Sequence, residues 1–194
     1  MVLLLACGGA YIPTKTATIP TLFTKLLKNG KIQQILSLGN MDKDYLKSIC
    51  IDIKSVHGYD DTINSPVQFL NYSINQPISI GAINGYQLLD DEMSFMASMH
   101  LNCDILLVQG KKLKCIDYKD KMIIYTGSIT GAFQDDKVIE STEWRYKVGS
   151  PSFVLLDINQ HVIIYTYQLG EKLKDGEWVQ DVKVERLDYK SKSV

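Results

Sequence analysis

Histidine is scarce in this chain, three among 194 residues, and neither sign of charge dominates, with 21 Lys+Arg against 22 Asp+Glu. Proteins that bind nucleic acid normally carry a basic excess that displaces counterions from phosphates, so the balance argues against such a partner. Lys111, Lys112 and Lys114, and Lys190 and Lys192 in the tail, read as solvated edges. No apolar run approaches the ~18 residues of a membrane span. Leu4-Leu5-Ala6-Cys7 looks like a lipoprotein cleavage box, but only six residues precede the cysteine and none is basic, which argues against a signal peptide. Val2 stands where N-myristoylation needs glycine. Cys7, Cys50, Cys103 and Cys115 are scattered, three of them in apolar surroundings, with no Cys-x-x-Cys pair. They read as small buried hydrophobes in a reducing compartment rather than disulfides or zinc ligands. The expected location is the cytoplasm.

What is present is ample apolar material, 45% of residues, which excludes a disordered chain. The length favours one domain, expected over residues 1–189, with loop insertions near 134–149 and 170–180 and a flexible tail at 190–194. Val2–Cys7, Ile32–Leu38 and Ile51–Val56 are short continuous apolar runs suited to strands covered on both faces. Between them, Thr18–Lys28 and a stretch from Asp42 to Cys50 carry apolar residues at helical spacing. Strands are then expected at Val67–Ile74 and Ile78–Ile83, a helix at Glu92–His100 and a strand at Ile105–Val108. From Lys112 onward the pattern is mostly β: Leu113–Tyr118, Met122–Tyr125, Ser152–Ile158, Val162–Leu169 and Trp178–Tyr189. Gln134–Gly149, longer and more polar, reads as a surface loop. An α/β class follows, with two sheets packed together and helices outside.

In such folds, sites gather where strands end in turns. Those ends are Gly8-Gly9-Ala10-Tyr11, Gly39-Asn40, Gly58-Tyr59-Asp60-Asp61, Asn84-Gly85-Tyr86 and Gln109-Gly110-Lys111-Lys112. A two-metal hydrolytic centre needs several histidines and carboxylates converging there, and only Asn40, Asp60, Asp61 and Asn84 offer oxygen ligands. His57, His100 and His161 are accounted for by a strand end, a helix end and an exposed turn. Gly127-Ser128-Ile129-Thr130-Gly131 lacks the central serine of a nucleophile elbow, and no Walker A or GxGxxG motif exists. Asp90-Asp91-Glu92 reads as the negative charge that favours a helix N-terminus. No catalytic residue and no cofactor are expected.

The ordered series Gly8…Ile12-Pro13, Gly39-Asn40, Gly58-Tyr59-Asp60-Asp61, Asn84-Gly85-Tyr86-Gln87 and Gly127-Ser128-Ile129-Thr130-Gly131-Ala132 resembles the calcineurin-like metallophosphoesterases. Gly30–Leu36, Pro151–Ile158 and Asp181–Arg186 narrow the resemblance to the family of retromer's smallest core subunit, over essentially the whole chain apart from Gln134–Gly149 and Gly170–Gln180. The resemblance implies a four-layer α-β-β-α sandwich, two mixed β-sheets flanked by helices. It also exposes losses. Gly9 and Tyr11 stand where the family has the aspartate and histidine of Gly-Asp-x-His; Tyr59 replaces an aspartate or asparagine; Asn84 and Tyr86 replace histidines. The Gly-His-x-His turn is gone from Val108–Lys114, whereas Asn40 and Asp61 survive. These vestigial positions imply no bound metal.

Two interaction surfaces follow from the resemblance. The edge around the former metal pocket would bind retromer's α-solenoid subunit, vacuolar protein sorting protein thirty-five, through Leu89, with Leu88, Tyr86 and Tyr11 nearby. A second pocket, at Leu26, Leu155, Tyr165, Tyr167 and Val184, would take Pro-Leu loops of regulators such as a Rab GTPase-activating protein. Tyr165 and Tyr167 fall on one strand face by alternation alone. The membrane would be reached only indirectly, through the complex on endosomes.

Overall fold

The computed structural model describes residues 1–9, 19–38, 43–50, 52–58, 67–73, 77–83, 100–118 and 121–189, with backbone alone at 43–45, 56–58 and 67–68. Its first half contains β1 (Val2–Cys7), α1 (Thr21–Asn29), β2 (Gln34–Ser37), α2 (Lys43–Ile49), β3 (Ser55–Gly58), β4 (Val67–Ser73), β5 (Pro77–Ile83) and β6 (Ile105–Val108). Then come β7 (Leu113–Tyr118), β8 (Lys121–Thr126), β9 (Val138–Glu140), β10 (Trp144–Lys147), β11 (Ser152–Ile158), β12 (Val162–Lys174) and β13 (Glu177–Tyr189).

Two mixed sheets result. The larger runs β3-β2-β1-β11-β12-β10-β9, with β13 on the other edge of β12; the smaller runs β4-β5-β6-β8-β7. β1, β2 and β3 are parallel, as crossovers through α1 and α2 require, and β11, β12 and β13 pair antiparallel. Parallel pairing in the smaller sheet is confined to β5, β6 and β8.

The period of two explains the layers. Leu4, Ala6, Val154, Leu156, Ile158, Val162 and Ile164 point from the larger sheet into an interface with Ile80, Ala82, Ile105, Leu107 and Ile124 of the smaller one. Leu5, Cys7, Ile35 and Phe153 point the other way, against Phe23 and Leu27 of α1 and Leu46 and Ile49 of α2. Both faces of β1 are therefore buried, which is why its sequence is an unbroken apolar run. The outer face of the smaller sheet gathers Ile83, Leu106, Val108, Ile123 and Tyr125.

Four expectations change. α1 begins at Thr21, with Pro20 as its N-cap and the Pro20 carbonyl accepting the Thr24 amide at 3.0 Å. The third strand is not Ile51–Val56 but Ser55–Gly58, because its register with β2 starts at Gln34↔Ser55; Lys54 and Ser55 both donate to the Gln33 carbonyl just before it. Gln134–Gly149 is not a bare loop: it forms the β9–β10 hairpin, closed by Ser141 Oγ, which bonds the Trp144 amide and carbonyl. Residues 170–180 continue β12 and β13 as one ribbon, turned at Asp175-Gly176, where φ is 52° and 84°. Positive φ at both central residues is the hairpin geometry that matches strand twist. The expected helix Glu92–His100 lies, apart from His100, outside the described residues, as do Asp42 and the tail.

Phe153 touches Phe23 edge-on at 4.7 Å between centroids and stacks on Tyr167 at 4.6 Å and 7°. Phe153→Ala is expected to cost about 3–5 kcal/mol of stability, read as a lower urea midpoint with unchanged slope.

Candidate functional site

Two places on this frame can be examined residue by residue. The first is the carboxyl ends of the central strands, where β1, β6 and β8 from the two sheets meet. Gly8 and Ser128 form a parallel bridge, and the Ile129 amide donates to the Gly8 carbonyl at 2.8 Å. This close approach needs glycine: a Cβ on Gly8 would stand 2.5 Å from the Gly127 oxygen and 2.8 Å from Gln109 Cγ. Gly127 itself has φ +66°, and a Cβ there would stand 2.1 Å from the hydroxyl of Ser152, which donates to the Thr126 carbonyl at 2.9 Å.

Gln109, at the end of β6, is 6% exposed and donates Nε2–H to the Gly9 carbonyl at 2.9 Å. Its Oε1 is buried with no hydrogen-bond partner among the described residues. Lys111 and Lys112 follow on the exposed turn. An amide donor and two cations do not suit a divalent metal, which wants anionic oxygens and neutral imidazoles. Among the described residues no group of three or more His, Cys, Asp or Glu comes together. The described residues therefore do not fit a metal centre. Gly9 is buried beside Gln109, while Tyr11, Asn40, Tyr59, Asp60, Asp61, Asn84, Tyr86, Leu88 and Leu89 lie outside the described residues.

Thiol chemistry is disfavoured too. Burial pushes Cys7 up to about 12, helped by its neighbour Cys50, and burial pushes Cys50 up to about 11. Neither is a thiolate at neutral pH.

The second place is the helix-side face of the larger sheet. Register puts Leu155 opposite Tyr165, and Tyr167 between Phe153 on one side and Val184 on the other. Odd positions of β11 and β12 and even positions of β13 thus share the face that Phe23 and Leu27 of α1 cover. Leu26, one residue before Leu27, is 41% exposed and Val184 is 49% exposed. Leu155, Tyr165 and Tyr167 are half-buried. Burial, and then the neighbouring Tyr165, raise the Tyr167 hydroxyl above its ordinary value, so the Tyr167 phenol is a neutral donor on an otherwise apolar floor. Of the five positions in this candidate pocket, four lie on one continuous face by strand pairing.

No family model matches the chain. The vacuolar protein sorting-associated protein 29 of Schizosaccharomyces pombe is 32% identical over 198 aligned positions, covering 97% of this chain and 98% of that protein. This chain belongs to the Vps29 family.

The solved structures agree. Vps29 from Chaetomium thermophilum, complexed with the cyclic peptide RT-D3, matches with a TM-score of 0.74 and 30% identity over 99% of this chain and 98% of that one. Wild-type Vps29 from Entamoeba histolytica, complexed with Zn2+, matches with a TM-score of 0.66 and 28% identity over 96% and 99%. Vps29 is a subunit of retromer in vacuolar protein sorting. Within this member, Gln109 is named from the sequence only as the start of a strand-end turn, and its bond to the Gly9 carbonyl is not expected there. Its signal was slight, a polar residue ending the apolar run Ile105–Val108.

Gly8→Ala forces its methyl against the Gly127 carbonyl and Gln109. A loss of about 1–3 kcal/mol is expected from such overpacking, measured by chemical denaturation.

Proposed function

We propose that this Vps29 family member is a non-catalytic scaffold within retromer, serving endosomal cargo recycling and endosome-to-Golgi retrograde transport. The observation that carries the reading is Gln109, a buried amide donor on the Gly9 carbonyl where the phosphoesterase frame would otherwise assemble metal ligands. The frame is kept and the chemistry is not, so what remains to be used is surface.

One surface is the edge around the former metal site. Leu89 is the apolar anchor for the C-terminal half of the α-solenoid subunit, vacuolar protein sorting protein thirty-five, and Leu88, Tyr86 and Tyr11 contribute to the same contact. Tyrosines in place of polar ligands make such an edge more suited to a partner than to a cation. The other surface is the pocket of Leu26, Leu155, Tyr165, Tyr167 and Val184, which takes Pro-Leu loops of regulators such as a Rab GTPase-activating protein. Half-exposed aliphatic and aromatic residues on one face support this use. The cyclic peptide on Chaetomium thermophilum Vps29 supports the idea that this family presents a surface for compact peptides. Residues 1–189 act as one domain, cytoplasmic and peripheral on endosomal membranes through the complex, with no cofactor required.

A second reading is a divergent metal-dependent phosphoesterase built from Asn40, Asp60, Asp61 and Asn84. The Zn2+ complex of Entamoeba histolytica Vps29 favours it. A phosphoesterase-fold adaptor outside retromer is the remaining alternative.

Calorimetric titration with the C-terminal half of the same species' solenoid subunit is expected to show tight binding that Leu89→Asp abolishes while circular dichroism stays unchanged. No binding by the native chain would overturn the retromer contact. For the pocket, a buried leucine anchor contributes about 1.5–3 kcal/mol. Leu155→Asp is therefore expected to abolish micromolar binding of a Pro-Leu peptide, with solenoid binding retained.

A further inference from the structure

Past Gln168, where the pairing of β12 with β11 stops, β12 and β13 run on as a ribbon that β10 joins through Arg145↔Glu171 and Trp144↔Lys172. Register carries the pocket face along this ribbon without a break. After the pocket rung of Tyr167 and Val184 come Leu169↔Val182, then Glu171↔Gln180, then Leu173↔Trp178. Leu169 and Val182 are partly buried against the helix-side core, and Leu173 is 40% exposed. Trp178 is held in place: the Arg145 guanidinium lies 4.7 Å from its ring centroid, and Glu171 fixes Arg145 through a 2.5 Å ion pair.

Along this face, Tyr165 to Leu173 spans nine residues, about 27 Å of strand, which matches about nine residues of extended peptide. Its cations are already matched. Arg145 is paired with Glu171, Lys147 with Asp136 and Arg186 with Asp188. A carboxylate on an occupant would meet no free cation among these, would lose its water, and would share the face with Glu140, opposite Arg145, and Asp157 of β11.

Resting on the pocket assigned above, we infer that the ribbon lengthens it into a groove for an extended flank, free of acidic residues, of the same regulator loop. The loop's apolar tip sits at Leu155 and Tyr167, and alternate apolar residues of its flank reach Leu169, Val182 and Trp178. Trp178 is the residue that distinguishes flanked from unflanked loops.

The test uses two synthetic peptides on the full chain. One is a disulfide-closed hexapeptide with Pro-Leu at its tip; the other is the same ring followed by Ser-Val-Ser-Trp-Ser-Leu. The flanked peptide is expected to bind at least tenfold tighter. Trp178→Ala or Leu173→Ser should remove that gain and leave the bare ring unaffected. In a Trp144→Phe background, leaving Trp178 as the chain's one tryptophan, a flank carrying Phe for Trp should shift Trp178 emission, and the bare ring should not. Equal affinity for the two peptides overturns the groove and leaves the pocket standing. Binding of neither peptide overturns the pocket and the groove with it. Equal weakening of both by Trp178→Ala makes the residue structural, and a dimer in sedimentation that Trp178→Ala dissolves assigns the face to a second copy; either result contradicts the inference.

Discussion

The two-residue alternation of β1, β11 and β12, buried between a second sheet on one side and helices on the other, is the constraint on which the rest depends. Val154, Leu156, Ile158, Val162 and Ile164 fill the space between the sheets. A slip of one residue would carry them to the helix face and bring Asp157 and Tyr165 into that space, so the register is strongly fixed. Once it is fixed, Leu155, Tyr165 and Tyr167 must face outward. The chain of rings from Phe23 through Phe153 to Tyr167 then ties α1 to the same face. The apolar surface proposed for regulators is thus a consequence of how the core is filled.

A different physical problem governs the strand ends. Bringing two sheets together at Gly8 and Ser128 packs main chain against main chain and buries carbonyls that need donors. Ile129 serves the Gly8 carbonyl and Gln109 serves that of Gly9. Leaving such a group bare costs about 1–3 kcal/mol. Gln109 meets that need at the expense of an Oε1 unpartnered among the described residues. A side chain committed to the backbone in this way holds the frame closed; a metal-binding side chain would be directed at the ion instead.

Much of this was legible before any coordinates. Continuous apolar runs marked β1 and β6 because strands covered on both faces have no polar side to show. Alternation placed Tyr165 and Tyr167 together, and the strand pairing adds Leu155 and Val184 to them. The β9–β10 hairpin and the distal ribbon were not read. Their strands are rich in charge, and their cohesion comes from cross-strand pairs such as Arg145 with Glu171, Lys172 over Trp144 and Lys183 over Tyr146. No apolar stripe announces such a strand. The dipeptide Asp175-Gly176 did carry a hairpin signal, but its flanks lack the apolar alternation that makes the signal persuasive. Gln109 was hidden for another reason: its role lies in a contact with Gly9, one hundred positions away in sequence.

The central proposal is that this member of the Vps29 family works without metal chemistry. The most direct measurement is metal content by mass spectrometry after loading the purified chain with Mn2+ or Zn2+ and desalting. Far less than one ion per chain is the predicted result, unchanged by Asn40→Ala or Asp61→Ala. One or two ions per chain, lost in those variants, would contradict it.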